Sequence, residues 1–267
     1  MIAAAAHLLA CMLVFTMVER LWPASSAARR WYRRPLLVDI VSWLIVPLAI
    51  GAGMTFAVLF MDALKPGLLA FHWLVRLQSE IGKLPLYVQI PVAFVAVDFL
   101  DYWLHRAYHH FPFLWSFHVM HHSSEPIDWL STLRVHPVSQ MIDTAIVTGL
   151  LLFIGLPLKS LVAANALVGF LAVLTHANVP WTFGPLGRLF VSPVFHHWHH
   201  ARVDEHSSTP ATANFGAALS IWDRIFRTSR NAENQPTQYG TEKAPASDLW
   251  TLLLYPLRFF LPTRRKR

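Results

Sequence analysis

Charged residues are scarce in this sequence, and their scarcity argues against a soluble domain. Aspartate, glutamate, lysine and arginine together make up 14% of the 267 residues, whereas hydrophobic residues make up 55%. Average soluble domains carry about 25% charged residues. The composition therefore predicts a membrane protein.

Cysteine is almost absent as well. The single cysteine, Cys11, excludes an intrachain disulfide and an iron–sulfur cluster held by several thiolates. The sequence also has no G-x-G-x-x-G dinucleotide fingerprint and no C-x-x-C-H haem-attachment motif. Redox chemistry in this chain would then need electrons from a separate protein.

Acidic residues are fewer than basic ones, 15 against 22, which leaves a formal net charge of +7. The basic residues cluster at residues 29–34 and 264–267, beside apolar segments. Anionic lipid headgroups are the partner that such clusters favour, although a docking surface for an electron donor would use the same charges. No nucleic-acid-binding motif accompanies the charge, so we do not expect nucleic acid as a partner.

Long apolar stretches predict an all-α integral membrane protein with four to five transmembrane helices. The last two stretches either cross the membrane fully or form a hairpin that dips into one leaflet. Residues 65–83 are amphipathic and predict a loop or a shallow re-entrant segment, and residues 249–261 predict an interfacial helix. The expected spans are residues 2–18, 36–64, 84–104, 141–158 and 160–179.

The arginines between the first two spans predict the orientation of the chain. Cytoplasmic loops are enriched in lysine and arginine, and Arg20 and the cluster at residues 29–34 lie in this loop. Counting spans from there places every dense histidine cluster on the cytoplasmic side. We expect a multi-pass protein of the inner membrane in a bacterium, or of the endoplasmic reticulum in a eukaryote.

The 15 histidines concentrate in three clusters, which read DYWLHRAYHH, FHVMHHSSE and FHHWHH. Residues three or four apart share one face of a helix, so histidines at these spacings can converge on one ion. The second and third clusters repeat one pattern, H-x-x-H-H. The eight histidines at such spacings are His105, His109, His118, His121, His122, His196, His199 and His200.

Eight histidines exceed the need of one metal ion. A zinc ion takes three or four protein ligands, so two ions that share the set fit the count better. Imidazole suits iron, zinc and copper alike, and the spacing does not name the metal. Paired metals lie about 3.5–4 Å apart with ligands at about 2 Å, so the three clusters must lie within about 10 Å of one another.

Two aspartates precede the first cluster. Asp101 lies four residues before His105, on the same helical face. Such a carboxylate typically accepts the second ring N–H of a ligand histidine and fixes its orientation. Asp98, one turn further back, either does the same or faces another helix.

Histidine clusters are also compatible with a metal transporter, or with a metal-binding protein that has no oxygenase activity. Transport sites normally lie on polar residues near the midplane of the membrane. Here the clusters fall at the ends of predicted spans and in the segment after them. Their location favours an enzyme.

The three clusters and the sequence around them resemble the fatty acid hydroxylase/sterol desaturase superfamily of membrane-bound di-iron oxygenases. That family carries an H-x-x-x-H box, then two H-x-x-H-H boxes, and the eight histidines match them. The stretches HHSSEPIDWLSTLRVHP and NFGAALSIWDRIF are similar to the family's segments after its second and third boxes, so the resemblance covers roughly residues 98–228. The family's tail commonly continues WDRLFGT, where this sequence has Arg227 in place of the glycine.

The resemblance implies a helical, cytosolic, histidine-rich cap that holds two iron ions, for which zinc can substitute in a purified sample. The reaction would be O2-dependent hydroxylation or desaturation of an unreactive C–H bond of a lipid. Electrons would come from a cytochrome b5-, ferredoxin- or reductase-like protein. Sterol, fatty acyl, alkylglycerol and carotenoid substrates all stay open.

The family usually has one more histidine between its second and third boxes, and His176 is our candidate for this ninth ligand, with His136 as the weaker alternative. We divide the chain into a membrane region at residues 1–83, a catalytic domain at residues 84–230, and a polar loop with a basic tail at residues 231–267. Other residues are expected around the ligands: Asp98, Asp101, His110, Arg134, His136, Asn178, His197, Asp204, His206 and Asn214.

Overall fold

The computed structural model describes residues 2–25, 36–125, 127–202, 213–241 and 245–260. The predicted basic clusters at residues 29–34 and 264–267, and the candidates Asp204 and His206, lie outside these ranges. Within the described residues the chain is helical, and its only β-pairings are two isolated bridges. The α-helices are α1 (Ile2–Leu21), α2 (Leu36–Leu68), α3 (His72–Lys83), α4 (Leu86–His110), α5 (Pro112–His118), α6 (Pro137–Ile154), α7 (Leu158–His176), α8 (Pro193–His199), α9 (Ile221–Ile225) and α10 (Leu249–Leu254).

Four of these helices, α2, α4, α6 and α7, are long and apolar enough to cross a membrane. They confirm the predicted all-α fold with four to five spans. α6 and α7 contain 18 and 19 residues, and such helices are about 27 Å long, close to the hydrocarbon thickness of about 30 Å. Their length favours full crossing over a shallow hairpin. Large apolar side chains on the outside of the bundle, such as Phe56 and Leu59, are more than 60% exposed and would face lipid.

The spans pack in two pairs, α2 along α6 and α4 along α7. Gly53 permits the first contact, because a Cβ there would lie 2.4 Å from the Met141 carbonyl oxygen. A tight turn at Gly155, whose φ is +110°, joins α6 to α7. Because successive spans run in opposite directions, the end of α4, the start of α6 and the end of α7 lie at one end of the bundle, where the histidines are.

Two peripheral segments differ in part from the predictions. Of the two alternatives for residues 65–83 the loop is wrong, because α2 continues to Leu68 and α3 comes next as a separate helix. The shallow re-entrant segment stays a prediction. α3 contains 12 residues and is therefore too short to cross a membrane. The predicted helix at residues 249–261 is broken: α10 ends at Leu254 and gives way to a 3₁₀ turn with Pro256 near its start.

Candidate metal centre

The predicted ligands of the first box lie on α4, where the chain leaves the membrane. His105 and His109 are four residues apart on this helix, which ends at His110. Their rings lie close together, with centroids 5.2 Å apart. His176, the candidate ninth ligand, is the last residue of α7. Both helices therefore deliver imidazoles to the same end of the bundle.

The second and third boxes have different backbones despite their common spacing. In the second box α5 ends at His118, and a 3₁₀ turn, His121–Ser123, carries the other two histidines. In the third box α8 carries two histidines, and His200 caps its C-terminus. The continuous helical geometry expected for both boxes therefore holds only for the third.

The nine predicted ligands fall into two groups, and within each group one ring nitrogen per residue lies within 4.8 Å of all the others. The groups adjoin, since the rings of His122 and His200 stack with centroids 4.5 Å apart. The five-histidine group contains His105, His109, His118, His122 and His199, and the four-histidine group contains His121, His176, His196 and His200.

The three boxes also lie well within the expected distance of about 10 Å of one another. Ring centroids of His105 and His199, from the first and third boxes, are 4.3 Å apart. Those of His109 and His122, from the first and second boxes, are 4.8 Å apart. Residues that lie far apart in the sequence, such as His105 and His199, are thus brought into one cluster.

Nitrogen–nitrogen distances inside the groups fit a shared ion. In the four-histidine group His196 Nε2 lies 3.1 Å from the Nε2 atoms of His176 and His200, and His176 Nε2 lies 3.3 Å from His121 Nε2. In the five-histidine group His199 Nε2 lies 3.1 Å from His122 Nε2. Two nitrogens bound to one ion at about 2.0–2.1 Å are separated by about 2.9–3.4 Å.

The donor atoms are in the state that a metal needs. The Nε2 atoms of His105, His109 and His118 are buried without a hydrogen-bond partner among the described residues. Among the predicted ligands that lie outside the spans, burial lowers the pKa of each imidazole well below 6.5, as for His118 and His199. The rings are therefore neutral at physiological pH, and a neutral imidazole offers a lone pair to a metal ion. A dinuclear site with imidazole ligands fits iron, zinc or copper.

Backbone carbonyls, rather than carboxylates, orient three of these rings. His105 Nδ1 lies 2.8 Å from the Phe215 oxygen, His199 Nδ1 lies 2.8 Å from the Ala213 oxygen, and His176 Nδ1 lies 2.8 Å from the oxygen of Ala172. A carbonyl oxygen can only accept a hydrogen bond, so each Nδ1 carries the proton and each Nε2 is left free to bind.

The role expected of Asp101 was wrong, whereas Asp98 follows the second of its two alternatives and faces another helix, α9. Asp101 does not accept the second ring N–H of His105, because the Phe215 carbonyl takes that bond. Asp98 accepts hydrogen bonds from the backbone N–H groups of Ala218 and Leu219 and from the indole of Trp222. Asp98 thus holds a chain segment instead of an imidazole.

That segment, residues 213–219, is here called the strap, and it supplies two of the orienting carbonyls. Asn214 lies in it with φ of +62°, a conformation that asparagine tolerates, and its side chain donates to the oxygens of Phe195 and Arg230. Asp223 accepts from the N–H groups of Phe215 and Gly216. We did not identify Asp223 from the sequence, although it lies in the WDRIF stretch that carries the family resemblance.

Three other residues expected around the ligands are buried and hydrogen-bonded close to the histidines in the sequence. Buried Arg134 donates to Asp39 through its Nε, at 2.6 Å, and forms an ion pair with it through Nη2. His197 points its Nδ1 at the Tyr239 hydroxyl and its Nε2 at the His176 oxygen. Asn178 donates its backbone N–H to the Glu19 carboxylate of α1. Tyr239 and Glu19 were not predicted.

Two of the remaining candidates lie away from the imidazole groups. His136 uses both ring nitrogens elsewhere: Nδ1 accepts from the Val138 N–H at the start of α6, and Nε2 lies 3.0 Å from the Leu253 oxygen. His136 is therefore not placed to be a ligand. His110 is exposed at the end of α4. Arg227, which stands where the family commonly has glycine, itself adopts the left-handed conformation that favours glycine, with φ of +57°.

Two openings reach the imidazoles. A cavity of about 260 Å³ runs from both groups into the space between α4, α6 and α7, and its wall includes Leu104, Leu133, Val168 and Ala172. A second opening, of about 540 Å³, reaches His109 beside the last turns of α4. The second opening is lined by Trp103, Arg106, Ala107, His109, His110, Phe111, Phe215 and Thr228.

The chain is similar in sequence to several enzymes. Ornithine lipid hydroxylase OlsE of Rhizobium tropici is 29% identical over 226 residues, which cover 82% of this chain and 64% of that protein. Human alkylglycerol monooxygenase is 33% identical over 153 residues, which cover 55% and 32%. A very-long-chain aldehyde decarbonylase, GL1-4 of Oryza sativa subsp. indica, is 31% identical over 169 residues, which cover 56% and 25%.

The chain thus spans less than two thirds of the length of each of these relatives. No solved structure matches it. The model of the fatty acid hydroxylase family matches residues 90–228, which is 139 of the 267 residues. The match includes the three histidine boxes, His176, the strap and Asp223, and by this match the chain belongs to the fatty acid hydroxylase family.

Proposed function

We propose that this protein is a membrane-bound di-iron oxygenase that hydroxylates an unactivated C–H position of a lipid. The observation that carries the proposal is the pair of imidazole groups at the inner end of a cavity between membrane-spanning helices. Apolar side chains such as Leu104, Leu133 and Val168 form part of the cavity wall, and along them an acyl or sterol segment would approach the imidazoles.

The chain's own residues hold, orient and shield the site. Nine imidazoles would hold two iron ions, and the strap and the end of α7 keep the rings of His105, His199 and His176 in position. Iron, when bound, supplies the O2 chemistry that can attack an aliphatic C–H bond, which acid–base side chains cannot do. The surrounding spans exclude water and present one carbon of the lipid.

Relatives favour oxygen insertion over desaturation. Two of them are named as a hydroxylase and a monooxygenase, and both names specify a lipid. Desaturation would use the same ligands and stays the second possible outcome. A lipid substrate also agrees with the direction of the cavity, which extends into the membrane-spanning part of the bundle.

Electrons would enter from outside the chain. The sequence has no flavin or dinucleotide fingerprint and one cysteine, so we assign electron delivery to a separate cytochrome b5-, ferredoxin- or reductase-like protein. The second opening, whose lining includes Arg106 and His109, is our candidate for the place where this donor protein docks. We propose that the end of the bundle that carries the imidazoles faces the cytoplasm. The membrane would be the inner membrane in a bacterium or the endoplasmic reticulum in a eukaryote.

A metal transporter is the weaker candidate. Transport requires a site near the middle of the membrane that opens to each side in turn. Here His105 and His109 lie in the last two turns of α4, and His176 is the last residue of α7. Ligands at the ends of spans are typical of a metal site that stays in one place, as in an enzyme, and not of a transport site in the middle of the membrane.

The proposal is tested by metal analysis and lipidomics. The wild type, His121→Ala and His199→Ala are purified without oxygen, their iron is measured per chain, and lipids are compared in cells with and without each variant. The wild type should hold about two irons per chain and produce an O2-dependent hydroxylated lipid. Each variant should lose the product, because each removes a ligand from one group.

His72→Ala is the matched control, since His72 is exposed at the start of α3, at the other end of the bundle. It should leave both the iron content and the lipid product unchanged. An unchanged lipid profile in both His121→Ala and His199→Ala would contradict the proposed function. Metal-dependent transport without any oxidised lipid would support the transporter instead.

A further inference from the structure

Two carboxylates face the cavity below the imidazoles, and the mechanism above does not use them. Asp101 of α4 and Asp143 of α6 both line it and are partly buried within membrane-spanning helices. Among the described residues that line the cavity there is no lysine or arginine. Ionisable groups inside a membrane are costly, and as a rule they mark a site with a specific partner.

The partners of the two carboxylates inside the protein are few. Asp143 accepts hydrogen bonds from the Tyr108 hydroxyl, at 2.8 and 2.9 Å to its two oxygens. A neutral phenol satisfies part of its hydrogen-bonding capacity and none of its charge. In the part of the chain that the structure describes, no hydrogen bond or ion pair to the Asp101 carboxylate is found. The cavity therefore has acceptor capacity that the protein leaves unused.

The position of the carboxylates relates them to the reacting carbon. Asp101 precedes His105 by one helical turn, which is a rise of about 6 Å along α4. His105, His118 and His176 line the same cavity. A group bound at the carboxylates and a carbon at the imidazoles would thus be separated by several covalent bonds of one molecule.

We propose that Asp101 and Asp143 form a subsite for a protonated amine carried by the lipid substrate. The inference rests on the proposed function and deepens it by naming a substrate class. An ammonium group supplies both the donors that Asp101 lacks and the positive charge that the cavity wall lacks. A hydroxyl would supply one donor and no charge, whereas an ammonium supplies three donors and a charge that favours the ionised form of both aspartates.

A binding experiment with simple probes tests the subsite. The purified, metal-loaded protein in detergent is titrated with hexadecylamine, hexadecanol and N-hexadecylacetamide, and thermal unfolding is followed by tryptophan fluorescence. Hexadecylamine should stabilise the wild type most. Asp101→Asn and Asp143→Asn should bind it about 10- to 100-fold more weakly, the loss expected for a charge-assisted hydrogen bond, with little change for hexadecanol.

Asp62→Asn is the matched control, because Asp62 is an exposed carboxylate of α2 in a separate groove. It should bind all three probes as the wild type does. If an asparagine variant does not fold, Asp101→Glu and Asp143→Glu, which keep the charge, should retain the preference for the amine. Equal binding of amine and alcohol by the wild type, or an unchanged preference in both asparagine variants, would overturn the subsite.

The experiment separates this inference from the proposed function, because it measures binding and needs no oxidation. An intact, aspartate-dependent preference for the amine in a protein that makes no oxidised lipid would support the subsite and contradict the oxygenase. An oxygenase that oxidises lipids with and without an amine at equal rates, with no amine preference in binding, would overturn the subsite and leave the function standing.

Discussion

The second and third histidine boxes share the spacing H-x-x-H-H but divide their ligands in opposite ways. In the second box the first and last histidines, His118 and His122, belong to the five-histidine group, and the middle one, His121, belongs to the other. In the third box the middle histidine, His199, belongs to the five-histidine group. Its first and last, His196 and His200, complete the four-histidine group.

The reciprocal division means that neither group can form from one box alone. In the third box, which lies on α8 and its C-cap, residues i and i+4 project in nearly the same direction, whereas i+3 is displaced to one side. The second box reaches a comparable division through the end of α5 and the 3₁₀ turn that follows it. Each box thus contributes a pair of imidazoles to one group and a single imidazole to the other, and both groups depend on the same tertiary contact.

Removing the last histidine of each box tests the division and should give the largest effect. His200→Ala leaves three imidazoles in its group, whereas His122→Ala leaves four, which is enough for a tetrahedral site. Both should lower lipid oxidation on the order of 100-fold or more, since ligand loss exceeds the cost of about 10- to 100-fold for losing an outer partner. Metal analysis should find about one ion per chain in His200→Ala and nearly two in His122→Ala.

Equal metal loss in the two variants would contradict the separate groups. His110→Ala serves as the neighbouring control, because His110 is exposed and belongs to neither group. It should keep both ions.

Weakening the hydrogen bonds that hold the strap should lower metal affinity by an intermediate amount, and only at the five-histidine group. Asp223→Asn leaves one acceptor oxygen for the two N–H groups of Phe215 and Gly216. The strap carbonyls orient only His105 and His199, both in the five-histidine group. Metal affinity should fall about 10- to 100-fold at one of two sites.

Competition with a chelator, combined with measurement of the metal content, gives the affinity of each site. One ion should be released earlier than in the wild type and the other at the wild-type rate. Release of both ions together would show that the strap supports the whole centre. Asp62→Asn, which lies outside the centre, should change neither.

The two boxes also differ in the interactions that hold their backbones in place. Removing these interactions should change the free energy of unfolding, with smaller effects than the loss of a ligand or of the strap. The second box is backed by the buried pair of Arg134 and Asp39. The third begins at the N-cap Ser192, whose hydroxyl accepts from the Phe195 N–H. Arg134→Met should cost about 3–5 kcal/mol, because it removes the cation of a buried ion pair. Ser192→Ala should cost about 1 kcal/mol.

Unfolding of the metal-free proteins by denaturant in the same detergent measures both costs. Replacing both members, Arg134→Met with Asp39→Leu, should recover most of the loss, since neither charge of the pair then remains buried. A Ser192→Ala variant less stable than Arg134→Met would contradict this ranking of supports.

The sequence was sufficient to predict four spans and the set of clustered histidines, because both depend on local patterns. Long apolar stretches predict helices that cross a membrane, and histidines three or four residues apart are predicted to share one face of a helix. His176 was identified through the family resemblance, since it stands alone in the sequence. Its grouping with His121 and His196 depends on how α7 packs against α4, which no local pattern encodes.

Long-range partners explain what the sequence did not predict. Asp101 was expected to orient His105 because it lies one turn away, yet a carbonyl 110 residues later takes that bond. Asp223 acts on the site through the strap. Arg227 has a left-handed backbone beside Thr228, whose N–H and hydroxyl both donate to Asp223. The division of each box between two groups is likewise set by the facing of one box onto the other.

The most direct test of the dinuclear, box-sharing site is an anomalous-difference map of the iron-loaded protein at the iron absorption edge. We predict two peaks, one surrounded by His105, His109, His118, His122 and His199, and the other by His121, His176, His196 and His200. A single peak, or two peaks each surrounded by the histidines of one box, would contradict the account.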